Sequence, residues 1–220
     1  MKAFKEGGTF TLDDDRQGQV YVGLEGGPMN TYFKDANDHL PMAYAIVKGF
    51  ASPEEVKKIG EWFRGKAHPD IKKTEFNGDD VEDDADTSGQ PEVFQLYANP
   101  TAKDAFGLAI GVKQAELDNV NFPQDIRHVT YQQTDACCWH RDDPTNHFNT
   151  IVMCTQPNID FEGGQLQFYP IDDPTNVEIQ LGDAVIYSTP KVDHRVTEVT
   201  KGTRSIFLVE LKKESLANLS

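Results

Sequence analysis

The chain has 220 residues, of which 38% are hydrophobic and 26% charged, and this is enough to build one full hydrophobic core. Its 21 lysines and arginines stand against 36 aspartates and glutamates, which gives a net charge of -15 and argues against nucleic acid as a partner. No apolar run approaches membrane-spanning length and the first residues are too polar for a signal peptide, so we expect a cytoplasmic protein with no membrane partner.

The amino-terminal part of the chain predicts a hairpin followed by helices. Residues 9–33 hold two β-prone runs with Gly-rich turns between them, which is typical of a hairpin. A helix is predicted to begin at Ser52, which can cap the first turn, with Pro53 at the first helical position. A second helix is predicted over residues 101–117 from the spacing of its apolar residues. We expect residues 1–125 to support the remainder of the chain.

An acidic segment, residues 77–92, lies between these two predicted helices. Its density of carboxylates predicts a solvated, mobile loop, which is suited to close over a site as a lid. Calcium binding is the alternative, because Asp84, Asp86 and Ser88 imitate the start of an EF-hand loop. The twelfth position of that loop is Gln95 rather than Glu, which disfavours calcium.

From about residue 127 the chain becomes a series of short β-prone runs separated by turn-rich breaks. The eight runs are RHVTYQQ, CCWHR, FNTIVMCT, GQLQFY, VEIQL, AVIYS, HRVTEV and TRSIFLVEL. Eight strands with such turns predict an antiparallel sandwich or barrel, and a jelly roll needs eight. The predicted fold is therefore mainly β with flanking helices: a single domain, 1–220, whose core over 126–212 is a double-stranded β-helix (jelly roll).

The run CCWHRDD, which begins at Cys137, holds the strongest chemical signal. Its HRD also occurs in the catalytic loop of protein kinases, but that loop needs an Asn where this chain has His147, and a Gly-rich phosphate loop is missing. Three cysteines, an odd and small set, imply no disulfide framework and are expected to act mainly as small apolar residues.

His140 and Asp142 are two residues apart on a predicted strand end, so their side chains point the same way and could share a metal ion. His194 opens a later predicted strand and is the best third ligand. Two histidines and one carboxylate on one face form the arrangement used by non-haem Fe(II). The pattern alone leaves the other interpretation open, in which these are ordinary surface or core residues.

Arg204 lies on a predicted strand, TRSIFLVEL, that is apolar on both faces and is therefore expected to be central. A buried guanidinium requires an anion. That anion is either a protein carboxylate or the far carboxylate of a dicarboxylate whose other end chelates the metal. The planar fork of arginine suits the second role because it can bind a carboxylate at two points.

Further positions accompany these candidates along the chain, namely Tyr131, Gly163-Gly164-x-Leu166 and Gly182-Asp183. Together with His140-x-Asp142, His194 and Arg204 they resemble the iron(II)/2-oxoglutarate-dependent dioxygenases, and in particular their prolyl 4-hydroxylase-like branch. The similarity covers roughly residues 127–211.

This resemblance implies Fe(II) and 2-oxoglutarate as cofactors, and it allows L-ascorbate as an accessory. It assigns the three metal ligands as above, places Arg204 on the distal carboxylate of 2-oxoglutarate, and assigns Tyr131 to the same pocket. A tyrosine common on the strand after HxD is replaced here, with Thr150 or Cys154 expected to face the pocket.

The implied activity is hydroxylation of a C–H bond, with release of succinate and carbon dioxide. The implied substrate is a prolyl or other residue of a peptide or protein, or a small amino-acid-like molecule. Two rivals remain at this point. One is a non-catalytic jelly roll that binds a ligand or serves a structural role. The other is a zinc hydrolase with Asp143 or Glu162 as its general base.

Overall fold

A computed structural model describes residues 4–11, 15, 17–23, 43–66, 81–84, 125–142, 146–169, 173–189 and 192–212. Within these ranges the chain forms fourteen strands and one α-helix. The elements are β1 Phe4–Thr11, β2 Gln17–Gly23, β3 Ala43–Lys48, α1 Pro53–Lys66, β4 Val81–Asp84, β5 Asp125–Tyr131, β6 Cys137–His140, β7 Asn146–Met153, β8 Phe161–Gly163, β9 Leu166–Phe168, β10 Thr175–Asn176, β11 Ala184–Ser188, β12 His194–Val196, β13 Val199–Gly202 and β14 Arg204–Lys212.

The strands form two main antiparallel sheets and a small ribbon. The large sheet has the order β1-β2-β3-β11-β7-β14-β5-β4, the second sheet has the order β10-β9-β12-β6, and β8 pairs with β13. Neighbours in these sheets are often distant in sequence, as when β14 lies between β7 and β5. The prediction of a mainly β fold with a jelly-roll core is confirmed, and so is the central place of β14.

The core lies between the two main sheets. Side chains alternate along each strand, and the inward residues of both sheets belong to one buried cluster. Ile151, Met153 and Ile206 enter it from the large sheet, and Leu166 and Phe168 from the smaller one. This apolar layer surrounds the ends of β6 and β12, where the metal-ligand candidates lie.

The predicted hairpin and helix start are both present. β1 pairs with β2 in antiparallel fashion. At the start of α1 the backbone N–H of Glu55 donates to Ser52 Oγ (3.2 Å), and the N–H of Ser52 donates to Glu55 Oε2 (2.7 Å). This reciprocal capping box satisfies two donors that the first helical turn would otherwise leave without partners. The predicted helix over 101–117 lies outside the described residues.

Two segments differ from the predictions. Within the acidic segment 77–92, Val81–Asp84 forms strand β4, which pairs with β5, so this part is an edge strand and not a loop. In the run VEIQL, Val177 and Ile179 are buried while Glu178 and Gln180 are exposed. The alternation is obeyed, but the run is not a strand: the Val177 N–H donates to the Leu166 carbonyl on β9, whereas the Gln180 N–H donates to the side chain of Asp183.

None of the three cysteines is in a disulfide; Cys137 is buried and Cys154 half-buried, as expected of small apolar residues, whereas Cys138 is exposed. Among the described residues, no helix combines the length and the apolar character needed to cross a bilayer.

Candidate metal centre

The pairing of β6 with β12 brings the three predicted ligands together. His140 and His194 are directly opposite each other in the antiparallel register, and their ring centroids are 4.3 Å apart. Asp142 follows β6, with Oδ1 3.3 Å from His140 Nε2 and Oδ2 3.6 Å from His194 Nε2. One ligand atom from each of the three residues lies within 4.8 Å of the others, close enough for all three to bind one ion.

The other ring nitrogen of each histidine is directed to a backbone carbonyl. Nδ1 of His140 lies 2.8 Å from the carbonyl oxygen of Cys138, and Nδ1 of His194 lies 3.2 Å from that of Val192. A carbonyl oxygen only accepts, so each Nδ1 carries the hydrogen and each Nε2 presents its lone pair in the neutral ring. Both histidines are therefore oriented to bind a metal through Nε2.

The electrostatics of the three residues favour a positive charge at this point. Burial disfavours the imidazolium of His140, but Asp142 and Cys137 beside it outweigh burial and raise the pKa of His140 to about 11. Burial likewise opposes the carboxylate of Asp142, yet the two histidines hold the pKa of Asp142 below its usual range. Burial lowers the pKa of His194. A divalent cation bound at the two Nε2 atoms would take the place of the proton on His140.

Two further residues, which the sequence did not identify, hold Asp142 in place. Asn149 on β7 donates from Nδ2 to Asp142 Oδ2 at 2.7 Å, and Tyr187 on β11 donates from its hydroxyl to the same oxygen at 2.9 Å. Both residues are buried, with 0% and 1% of their surface exposed. Alternation along AVIYS does place Tyr187 on the inner face, but only the packing of the large sheet against the smaller one brings its hydroxyl to Asp142.

Arg204 is fully buried at the start of β14. Tyr131 is its cross-strand partner on β5, and the guanidinium carbon lies 4.9 Å from the Tyr131 ring centroid, within the range of a cation–π contact. Gly164 allows this placement, because a Cβ there would lie 2.9 Å from Arg204 Cδ. A buried positive charge with an aromatic ring over it is suited to receive a carboxylate.

The structure corrects the prediction for Thr150. Its cross-strand partners are Ile186 and Val209, and all three lie outside the inner cluster to which Ile151 belongs. Thr150 therefore faces away from the metal ligands, and Asn149 takes the inward position. A shift of one residue moves a whole strand to the other face, and the sequence alone did not determine this register.

The other histidines do not join the centre where the structure describes them. Nε2 of His128 lies 2.5 Å from Ser205 Oγ, on the face of β14 opposite to Arg204. The side chains of His39, His68 and His147 lie outside the described set.

Comparison with known proteins identifies the fold. No protein-family model matches the chain and no curated protein matches it by sequence. Solved structures of 2OG-Fe(II) oxygenases match it over most of its length. One is an oxidoreductase of the 2OG-Fe(II) oxygenase family from Burkholderia pseudomallei, with 13% identity, a TM-score of 0.56, and 75% of this chain and 81% of that chain covered.

Two further matches are prolyl hydroxylases. The prolyl-4-hydroxylase from Pseudomonas putida has 19% identity and a TM-score of 0.57, with 77% of this chain and 91% of that one covered. The prolyl hydroxylase from Trichoplax adhaerens, solved with a hypoxia inducible factor oxygen degradation domain peptide fragment, has 13% identity and a TM-score of 0.57, with 80% and 87% covered. At these identities the likeness establishes a shared fold.

Proposed function

We propose that the chain is an iron(II)- and 2-oxoglutarate-dependent dioxygenase that hydroxylates a C–H bond in a peptide or protein substrate, with a prolyl residue as the leading candidate. The observation that carries this proposal is the convergence of His140, Asp142 and His194 within 4.8 Å, in a fold shared with 2OG-Fe(II) oxygenases. Two imidazoles and one carboxylate on one side leave positions of an octahedral ion open, as non-haem Fe(II) chemistry requires.

Each residue has a definite part in this proposal. The two Nε2 atoms and the Asp142 carboxylate would hold the iron, which would supply oxygen activation. Arg204 would receive the distal carboxylate of 2-oxoglutarate, and Tyr131, whose ring lies over the guanidinium, would line the same pocket. The apolar cluster around them excludes water, which strengthens the pairing of Arg204 with a carboxylate. L-Ascorbate would serve as an accessory reductant.

A zinc hydrolase is less well supported by the same geometry. Glu162, one of the two general bases that the sequence offered, lies on the β8–β13 ribbon with its side chain 54% exposed and bound to Lys201. It is thus engaged at the surface and not directed at the metal ligands. Asp143 lies outside the described residues.

Fold likeness and charge support this substrate class. One of the matching hydroxylases was solved with a bound peptide, which supports a peptide or protein here as well. A net charge of -15 favours a neutral or basic peptide. A small amino-acid-like substrate is the alternative and belongs in the same panel of compounds.

The test is succinate formation from 2-oxoglutarate with Fe(II), oxygen and a panel of prolyl peptides and free amino acids. The unaltered protein should form succinate. His194→Ala should abolish it, because one of three ligands is lost. Arg204→Ala should raise the KM for 2-oxoglutarate by roughly 10–100-fold, since a hydrogen bond to a charged group contributes about 1.5–3 kcal/mol.

Arg195→Ala is the matched control. Arg195 follows a metal ligand, but its guanidinium donates to Gln167 Oε1 at 2.7 Å and lies over Trp139 at 5.0 Å, so the KM should not change. Absence of succinate across the whole panel would favour the non-catalytic jelly roll. An unchanged KM in Arg204→Ala would remove the co-substrate role of Arg204.

A further inference from the structure

Asp142 is held by two neutral donors that converge on one of its oxygens. Asn149 Nδ2 and the Tyr187 hydroxyl both donate to Oδ2, at 2.7 Å and 2.9 Å. The two donors are cross-strand partners on β7 and β11. The register of the large sheet therefore makes both side chains point the same way. The carboxylate that they bind follows β6, a strand of the smaller sheet.

Both groups act as donors here. The ionised carboxylate of Asp142 only accepts, so the Tyr187 hydroxyl at 2.9 Å must donate its hydrogen to it. The amide of Asn149 cannot ionise. Neutral donors stabilise the carboxylate without adding a positive charge that would repel a cation.

Asn149 also has an amide oxygen, Oδ1, that is buried and has no hydrogen-bond partner among the described residues. An unsatisfied buried acceptor costs free energy, so an apolar residue of similar size would serve packing alone better. The orientation of the amide is unambiguous, because an ionised carboxylate accepts only, and Nδ2 must face it.

We propose that Asn149 and Tyr187 are positioning residues that hold Oδ2 of Asp142, leave Oδ1 free for the metal, and thereby set the metal affinity of the site. This inference rests on the proposed metal site and adds two residues to it. Oδ1 is the oxygen nearer His140, 3.3 Å from its Nε2. The Tyr187 hydroxyl oxygen also lies 3.4 Å from His194 Nε2, so it is close to two of the three proposed ligands.

The test measures metal binding directly, by titrating the metal-free protein with Co(II) and following the visible absorption of the bound ion. Tyr187→Phe removes one hydroxyl and Asn149→Leu removes the amide at similar volume. Each should raise the Kd for Co(II) by roughly 10–100-fold, the usual effect of losing an outer partner of a metal ligand. The band shape should change too, because a released carboxylate can rotate.

The controls are Tyr44→Phe and Thr150→Val. Tyr44 is the cross-strand partner of Tyr187 on its other side and is equally buried, with 2% exposed, while Thr150 is next to Asn149 but faces away. Both should leave the Kd unchanged. Because both donors act on one oxygen, the double variant Asn149→Leu/Tyr187→Phe should differ from the sum of the single effects.

Thermal unfolding of the metal-free variants separates positioning from general packing. A Kd within threefold of the unaltered value in both site variants would overturn the inference, and so would a Kd that rises equally in the controls. Failure of the unaltered protein to bind Co(II) would overturn the proposed metal site together with this inference. Normal binding with insensitive variants would overturn this inference alone.

Discussion

Single side chains that face away from the candidate metal centre help to place its residues. Arg141 lies between His140 and Asp142, and alternation directs it to the opposite side of the strand end. Its Nε and a terminal nitrogen donate to Oδ1 and Oδ2 of Asp193, each at 2.8 Å. Asp193 immediately precedes His194. This two-point ion pair therefore joins the two segments that carry the metal-ligand candidates.

We predict that Arg141→Ala lowers the free energy of unfolding by about 1 kcal/mol. A partly buried ion pair with two hydrogen bonds contributes more to stability than an ordinary surface pair does. This corresponds to a fall in Tm of roughly 2–4 °C for a chain of this size. The Kd for Co(II) should rise as well, since the segments lose their link. Calorimetry and metal titration measure the two effects.

A surface ion pair provides the control for this prediction. Lys201 and Glu162 also lie 2.8 Å apart, but their side chains are 73% and 54% exposed, so Lys201→Ala should change neither quantity measurably. The exchange Arg141→Asp with Asp193→Arg should recover part of the loss. Equal behaviour of Arg141→Ala and Lys201→Ala would show that the link has no structural effect.

At the scale of elements, the approach of β11 to the start of α1 depends on a glycine. Gly182 precedes β11 with a φ of +82°, and a Cβ there would lie 2.1 Å from the carbonyl oxygen of Ala51. The Ala51 N–H donates to the Gly182 carbonyl at 2.8 Å. Two backbones thus meet where only a residue without a side chain fits.

Substitutions of two glycines should therefore have opposite effects. Gly182→Ala should lower the free energy of unfolding by about 2–3 kcal/mol, from the strained backbone and the contact with Ala51. Gly60→Ala should raise it by about 0.4–1 kcal/mol, because Gly60 lies within α1 and a Cβ there meets open space. Chemical denaturation of both variants measures these changes in the free energy of unfolding. A Gly182→Ala protein as stable as the parent would contradict the close approach of the two backbones.

At the scale of the whole molecule, a metal would connect parts of the chain that are far apart in sequence. His140 and His194 are 54 residues apart and meet only through the pairing of β6 with β12. The unfolded chain offers no such site, so a bound metal stabilises the folded state by mass action.

We predict that Co(II) or Fe(II) at 100 times its Kd raises the free energy of unfolding by about 2.7 kcal/mol, or Tm by roughly 5–10 °C. A chelator should reverse the shift. In His194→Ala the metal should have little effect. Identical melting of the unaltered protein with metal and with chelator would contradict a single shared site.

Local patterns in the sequence predicted local features well. The capping residues of α1 follow from Ser52 and its neighbours, and β-prone alternation predicted the antiparallel core. The spacing of His140 and Asp142 indicated a shared direction for their side chains. These depend on the covalent geometry of a few consecutive residues, which the sequence states directly.

Pairing between distant strands could not be read in the same way. β3 was not predicted, β4 forms within an acidic segment because its backbone pairs with β5, and Thr150 lies on the opposite face to the one expected. Each of these depends on which strand lies alongside and on the register of the pairing. The local pattern of residues predicts neither the neighbouring strand nor the register.

The sequence by itself determined the candidate residues of this protein: the two imidazoles, the carboxylate and the guanidinium, together with most of the strands that carry them. Only the tertiary structure decided that His140 lies opposite His194 and that Asn149 and Tyr187 meet on one oxygen of Asp142. The physical reason is that residue type and spacing are covalent properties, whereas register is settled by the burial of apolar side chains across the whole sheet.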